Sequence, residues 1–338
     1  MSRYIARRVA QAVLVVVGVV LLTFVVARVV PGDPAATWAG PHAKPAQIEA
    51  ARQRLGLDRP LPVQVARYFA GILRGDWGVS VRTRRPVLQD LAVRAPSSIQ
   101  LVAAALLLAL VVGVPLGVVS ARWSGRAVDR LVRVGAVLGV SMPTFWLALI
   151  LQLVFFQRLR LLPAAGQYDP ALDYTSPLTE YTRMPVVDAL ITGNWPVLRS
   201  ALAHLVLPAV VIASYPMGVV TRMVRASVLD TVSEDHIRMV RALGFGERAV
   251  YGRFALRPAW NPVVAVAALV FAYSLANTFL VEAIFNWPGL GSYAADAVAS
   301  LDTPAIVGVT LFVAFAYVVG NLVVDLVQAA LDPRIRLR

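Results

Sequence analysis

The sequence predicts an all-α membrane protein, and three observations carry that expectation. Hydrophobic residues fill 58% of the 338 positions and charged residues only 15%, with a mean hydropathy of +0.69. Soluble domains run at roughly 45–50% apolar and about 25% charged, so an ordinary soluble enzyme is excluded. Six stretches, at about 9–30, 97–121, 131–156, 201–221, 259–282 and 305–327, are apolar over the ~20 residues that a spanning helix needs. Alternation at period two is missing, so backbone polar groups must be satisfied within helices rather than around a closed barrel.

The first stretch follows Arg3, Arg7 and Arg8. It is too long for the apolar core of a signal peptide and has no small-x-small site before Pro31, so it reads as a retained helix, 1–30. Residues 31–96 form an insertion on the far side of the membrane. Within it Pro45–Leu55 reads as one helix stopped by Gly56. Pro62–Arg74 reads as a second, with Val65, Phe69 and Ile72 on one face and Gly75 as the stop. Residues 97–327 form a core of five further spans containing the loop 222–258, and 328–338 is a tail. The segment 157–200, rich in proline and polar residues, is expected to be irregular. Span interiors hold no carboxylate. Arg28, Glu282 and Asp325 sit at span ends, where side chains reach the interface. The interiors hold Gly113, Pro115, Gly117, Pro143, Pro208 and Pro216 instead, which suits close helix packing or a pathway lined by bent helices.

Net charge is +13. The basic residues flank the apolar runs, which fits a membrane topology signal and not nucleic-acid binding. Segments 1–8, 121–133, 222–258 and 328–338 carry 17 arginines together, whereas 157–200 carries four and 283–304 none. Both ends are therefore expected in the cytoplasm. The segment 31–96 carries ten Lys and Arg, but loops longer than about 60 residues translocate largely regardless of charge. The chain has no cysteine, which excludes disulfides, thiolate zinc sites and thiol catalysis. His42, His204 and His236 lack metal-ligand spacing. Lys44 is the only lysine and Pro45 follows it, so no phosphate-binding P-loop can form.

The segment 222–258 is the most informative. Ser233-Glu234-Asp235 reads as a helix start with acids in the first turn. Ile237, Val240 and Leu243, with Met239 and Ala242, then make a short amphipathic helix that Gly244 is placed to break. Such a helix either lies on the lipid surface or inserts in a partner's groove. Here Asp235, Arg238, Arg241, Ala242 and Gly244, followed by Leu256, Arg257 and Pro262, resemble the cytoplasmic EAA loop of dipeptide and oligopeptide ABC importer permeases. Pro31-Gly32-Asp33-Pro34, Leu55-Gly56-Leu57-Asp58-Arg59-Pro60 and Gly75-Asp76-Trp77-Gly78 resemble the family's start and insertion. Val281-Glu282-Ala283-Ile284-Phe285-Asn286-Trp287-Pro288-Gly289-Leu290-Gly291, Asn321-Leu322-Val323-Val324-Asp325 and Leu331-Asp332-Pro333-Arg334-Ile335-Arg336 resemble its end. The chain departs from the pattern at the Glu-Ala-Ala triplet, where it has Arg238-Met239-Val240, and at Leu243, where lysine is common. The 157–200 loop matches only at Leu162-Pro163-Ala164-Ala165-Gly166.

The resemblance implies a type I ABC importer-like permease with no catalytic residue, no cofactor and no metal of its own. ATP and Mg would sit in two partner ATPase subunits. A second homologous permease, an extracytoplasmic solute-binding protein, membrane lipid and a peptide substrate complete the implied set. Asp235, Arg238, Val240, Arg241, Leu243, Gly244 and Glu247 would couple to an ATPase. Arg82, Arg84 and Arg85, in the basic insertion, are expected to dock the binding protein or to meet anionic lipid. Nickel or glutathione import stands as the alternative within the family, and an ion-coupled secondary transporter as the remote one. A membrane-embedded enzyme would need a His cluster or paired acids mid-span, which the sequence lacks.

Overall fold

The computed structural model describes residues 2–29, 34–40, 43–54, 56 and 58–331. Pro31, Gly32, Asp33, His42, Leu55, Leu57 and residues 332–338, which carry part of the expectations above, lie outside the described residues, as do the side chains of Arg28 and Asp325. The chain begins with α1 (Ser2–Val29), and the insertion follows with α2 (Pro34–Ala39), α3 (Pro45–Arg54) and α4 (Leu61–Leu73). The core continues with α5 (Val87–Arg122), α6 (Ala127–Ser141) and α7 (Thr144–Leu151), which runs into a π-helical turn at Gln152–Arg158. Then come α8 (Leu172–Thr175), α9 (Pro185–Thr192), α10 (Trp195–Val232), α11 (Asp235–Ala242) and α12 (Glu247–Ala249), the last followed by a second π-helical turn at Val250–Ala255. The chain closes with α13 (Trp260–Asn277), α14 (Phe279–Ile284), α15 (Leu290–Ala299) and α16 (Thr303–Leu331).

All six apolar stretches are helical. Among the described residues α1, α5, α10 and α16 are each long and apolar enough to cross a membrane, and α6 with α7 and its π turn makes a fifth, broken unit bent by 108°. The break falls at Met142-Pro143. Proline lacks an N–H and pushes its predecessor out of helical geometry, and Met142 is extended (φ −74, ψ 131). The fifth stretch is divided at Thr278 between α13 and α14.

Two local expectations change. The 157–200 segment is more ordered than its composition suggests, because Pro185 opens α9 and Gly193 (φ +66) closes it. Asn194 then caps α10 by accepting from Val197 N at 3.3 Å. Ser233 ends α10 instead of starting the loop helix; α11 begins after Glu234.

α5 and α10 have 36 and 38 residues, well beyond the ~20 that cross the hydrocarbon, so both project past the bilayer. They pack along most of their length through small residues. A Cβ on Gly117 would lie 2.7 Å from Val224 Cβ and 2.8 Å from the Thr221 carbonyl oxygen. On a neighbouring face of α10, a Cβ on Gly218 would lie 2.5 Å from the Ala136 carbonyl oxygen, and one on Gly139 2.9 Å from that of Ser214. α10 thus packs against both α5 and α6 at distances only glycine allows. Three apolar clusters follow one another along α5. Val87, Leu91 and Ala95 pack with Leu290, Tyr293 and Ala297 at the insertion end. Leu101, Ala105 and Ala109 pack with Leu205, Phe285 and Trp287 in the middle. Val114 and Ala121 pack with Val224, Val228, Ile237 and Val240 at the opposite end.

Candidate functional site

At the end opposite the insertion, α11 is an anchored helix with one free face. Ile237 is fully buried and Val240 is 9% exposed, both packed on Val224, Val228, Val250 and Ala255. Met239 and Leu243 are 63% and 65% exposed, and Phe245 is also open to the outside. The expectation that Val240 lies on the free face is therefore corrected: it holds α11 to its own chain, and the open apolar patch is Met239, Leu243 and Phe245. The periodicity alone could not choose, because Ile237, Val240, Leu243 and Met239 form one continuous arc of about 160°, and only packing decides which edge of it is covered. Gly244 adopts φ +82, and nothing lies within 4 Å of the place a Cβ would take. The turn after it is clamped by Arg241, whose Nε donates to Glu247 Oε1 at 3.0 Å. That hydrogen bond raises the Arg241 pKa above its ordinary value. Asp235 and Arg238 form a 3.1 Å pair in open solvent, which contributes little to stability.

α10, on which α11 packs, also carries one half of a partly buried ion pair. Arg225, on α10, donates from Nε to Asp129 Oδ1 at 2.8 Å and from Nη2 to Oδ2 at 2.9 Å. Ser120 Oγ donates to Asp129 Oδ1 at 2.6 Å, and Gly125 N to Oδ2 at 3.0 Å. One fully buried carboxylate therefore ties together the ends of α5, α6 and α10. The bidentate guanidinium geometry and the two additional donors satisfy the charge that burial would otherwise penalise.

The insertion-side end holds a second buried carboxylate. Glu282 lies inside the fold and not at the interface, which corrects the expectation drawn from its place at a span end. Its Oε1 accepts from Ser98 Oγ at 2.5 Å, and its Oε2 accepts from Gly291 N at 2.7 Å and Ser292 N at 3.1 Å. Those amides belong to the first turn of α15, so Glu282 caps that helix from a distance. Ser98 Oγ also accepts from Leu290 N at 2.7 Å, and the buried Trp287 donates Nε1 to the Ser97 carbonyl at 2.9 Å. A Cβ on Gly289 would stand 2.3 Å from Ser98 Oγ and 2.4 Å from Glu282 Oε2, and one on Gly291 2.6 Å from Phe279 Cα. The Gly-Leu-Gly run is what lets backbone and carboxylate meet.

The hairpin 78–86 lies beside this cluster. Ser80 Oγ donates to Asp302 Oδ2 at 2.5 Å, Thr83 Oγ1 to Asp90 Oδ2 at 2.5 Å, and Tyr293 OH to Asp90 Oδ2 at 3.1 Å. Burial and the Asp90 charge push the Tyr293 phenol above its usual range. Of the three arginines expected to dock a binding protein, Arg82 is engaged within the chain, its Nη1 2.5 Å from Asp296 Oδ2 on α15. Arg84, held at φ +59, and Arg85 are exposed at the hairpin tip.

Comparison with known proteins places this arrangement. The family described as "Binding-protein-dependent transport system inner membrane component" matches residues 113–337, and the N-terminal part of such membrane components matches residues 1–102. The chain belongs to this family. It is 43% identical over 323 residues, 96% of this chain and 94% of the relative, to the "Probable D,D-dipeptide transport system permease protein DdpB" of Escherichia coli. It is 37% identical over 99% of its length to a "Dipeptide transport system permease protein DppB" of Alkalihalophilus pseudofirmus, covering 100% of that relative. It is 34% identical to a "Glutathione transport system permease protein GsiC" of Salmonella paratyphi A, with both chains covered fully.

As a binding-protein-dependent permease, the chain is a multi-pass inner-membrane protein with the type I ABC importer permease fold. In this permease, sequence reasoning located the α11 loop and missed the two carboxylate clusters. Glu282 did carry a signal: an acid seven and nine residues before two glycines, in the motif Val281–Gly291 that resembles the family. Asp129 and Arg225 carried none, since their partners lie 96 residues apart.

Proposed function

We propose that this permease is one of two homologous membrane subunits of an ATP-driven importer of short peptides. The observation that carries the reading is its 43% and 37% identity, over nearly whole chains, to permeases named for dipeptide transport. Two ATPase subunits would supply the energy, with ATP and Mg bound in them and no cofactor in this chain. The lone Lys44, followed by proline, agrees with that division. An extracytoplasmic binding protein would deliver the peptide. With both termini in the cytoplasm, as the arginine distribution supports, α11 faces the ATPases and the hairpin 78–86 faces the binding protein.

The proposed mechanism is alternating access. The exposed face of Met239, Leu243 and Phe245, flanked by Asp235, Arg238, Arg241 and Glu247, sits in an ATPase groove, with Gly244 allowing close approach. Ile237 and Val240 carry each ATPase movement into α10, and the Asp129–Arg225 pair passes it to α5 and α6. Arg84 and Arg85 receive the binding protein. The test is ATP-dependent uptake by the complete transporter in proteoliposomes, with its binding protein and a radiolabelled dipeptide. Uptake of dipeptide with little competition from glutathione or nickel is expected. Uptake of glutathione or nickel without dipeptide would overturn the substrate assignment.

A further inference from the structure

The function above leaves α4 without a role. We propose that α4 is a lipid-surface helix and that Arg59 and Arg67 hold the phosphate of an anionic phospholipid. The inference is independent of the solute carried.

Depth is the first argument. Tyr68 of α4 meets α1 at Phe24, ring centroids 5.6 Å apart, and its OH lies 3.4 Å from Thr23 Oγ1. At 1.5 Å per residue, Thr23 lies about 24 Å along α1 from Arg7, short of the ~30 Å hydrocarbon thickness. Phe69 and Ile72 pack in one cluster with Val307 and Leu311 of α16. Those residues lie about 6 and 12 Å in from the start of α16 at Thr303. Two spans therefore hold α4 at the boundary between hydrocarbon and headgroups. The second argument is the apolar side chains that α4 leaves uncovered at its two ends. Leu61 and Val63 are exposed, and Leu73 is 85% exposed. At that depth, the medium available to such side chains is lipid.

Charge supplies the third argument. Arg59, Arg67 and Arg74 are exposed around this helix. The side chains of Arg59 and Arg67 both pass beside Gly56: a Cβ there would lie 2.8 Å from Arg67 Nη1 and 3.9 Å from Arg59 Cδ. Neither guanidinium is in an ion pair among the described residues. Two arginines beside one glycine favour an anion there, and guanidinium forks match phosphate oxygens. At headgroup level the abundant anion is a phosphodiester.

Two measurements on the complete transporter in nanodiscs test this. The chain has no cysteine, so Leu73→Cys can carry a single environment-sensitive fluorophore. Quenching by lipids spin-labelled near the headgroup, and not by aqueous iodide, is expected. Quenching by iodide would overturn the proposal, and so would shielding from both, which would mean a protein covers the face. The second measurement compares immobilisation of spin-labelled phosphatidylglycerol with that of spin-labelled phosphatidylcholine. Arg59→Gln with Arg67→Gln should lower the preference for phosphatidylglycerol, by roughly fivefold per arginine. An unchanged preference would remove the phosphate site.

Discussion

Glu282 and Ser98 stand 184 residues apart in the chain and share a 2.5 Å hydrogen bond in its interior. Through that contact α5 holds the first turn of α15, whose amides have no partner of their own within the helix. Glu282→Ala would strand Gly291 N, Ser292 N and the Ser98 hydroxyl, at about 1–3 kcal/mol for each donor left unpaired. Glu282→Gln keeps one acceptor and should retain part of that stability. Thermal unfolding of the purified permease should rank wild type above Gln above Ala, and Gly289→Ala should fall near Ala because its methyl displaces the same carboxylate.

The Asp129–Arg225 pair predicts a strong asymmetry. Arg225→Ala leaves a buried carboxylate facing only Ser120, Gly125 and the more distant Arg133, and should cost about 3–5 kcal/mol. Removing both partners should cost much less than the sum of the single losses, because no charge then remains unpaired. A double-mutant cycle on unfolding midpoints measures that coupling. Additive losses would mean that the pair does not bind the three helices together.

The two faces of α11 should separate stability from coupling. Ile237→Ala should lower stability by about 2–5 kcal/mol through the cavity it leaves. Met239→Ser and Leu243→Ser should leave the melting temperature within a degree or two, since both side chains are mostly exposed, yet lower permease-stimulated ATP hydrolysis several-fold. Gly244→Asn, which tolerates the left-handed backbone, controls for strain. Gly244→Glu should abolish stimulation where Gly244→Asn does not. Equal ATPase rates for both would remove Gly244 from the contact.

Topology is open to direct labelling because the chain has no cysteine. Tyr174→Cys, at a residue 92% exposed on α8, should react with an impermeant thiol reagent added outside intact cells. Ser233→Cys, between α10 and α11, should react only after permeabilisation. Ser80, although within the insertion, is fully buried against Asp302 and would be silent.

Docking of a binding protein by Arg84 and Arg85 predicts salt dependence. Neutralising both should slow association and flatten its fall with ionic strength, because screening acts on the steering charges. Adding Arg82→Gln should also loosen the hairpin from α15 by removing the Asp296 contact, and it should lower the melting temperature where the double variant does not. Association measured over a salt series, beside unfolding, distinguishes these effects.

The helical membrane class, the six apolar stretches and the loop that holds α11 were legible in the sequence, because each depends on local composition and spacing. Helices α3 and α4 were legible for the same reason: Gly56 and Gly75 stand just past their ends, and both adopt the left-handed backbone (φ +66 and +82) that favours glycine. Which face of α11 is free was decided only by tertiary packing, since Val240 turns inward when α10 supplies Val224 and Val228 for it to bury against. The fates of the charged residues were decided the same way. Glu282 read as an interfacial charge, Arg82 as a docking one and Asp129 as nothing in particular, yet each is held by groups that are distant in the chain. Inside this fold Ser98 with the α15 amides replaces the water that Glu282 has lost, and Arg225 with Ser120 does so for Asp129. Such partners are brought together by the path of the helices, and no spacing within one segment encodes it.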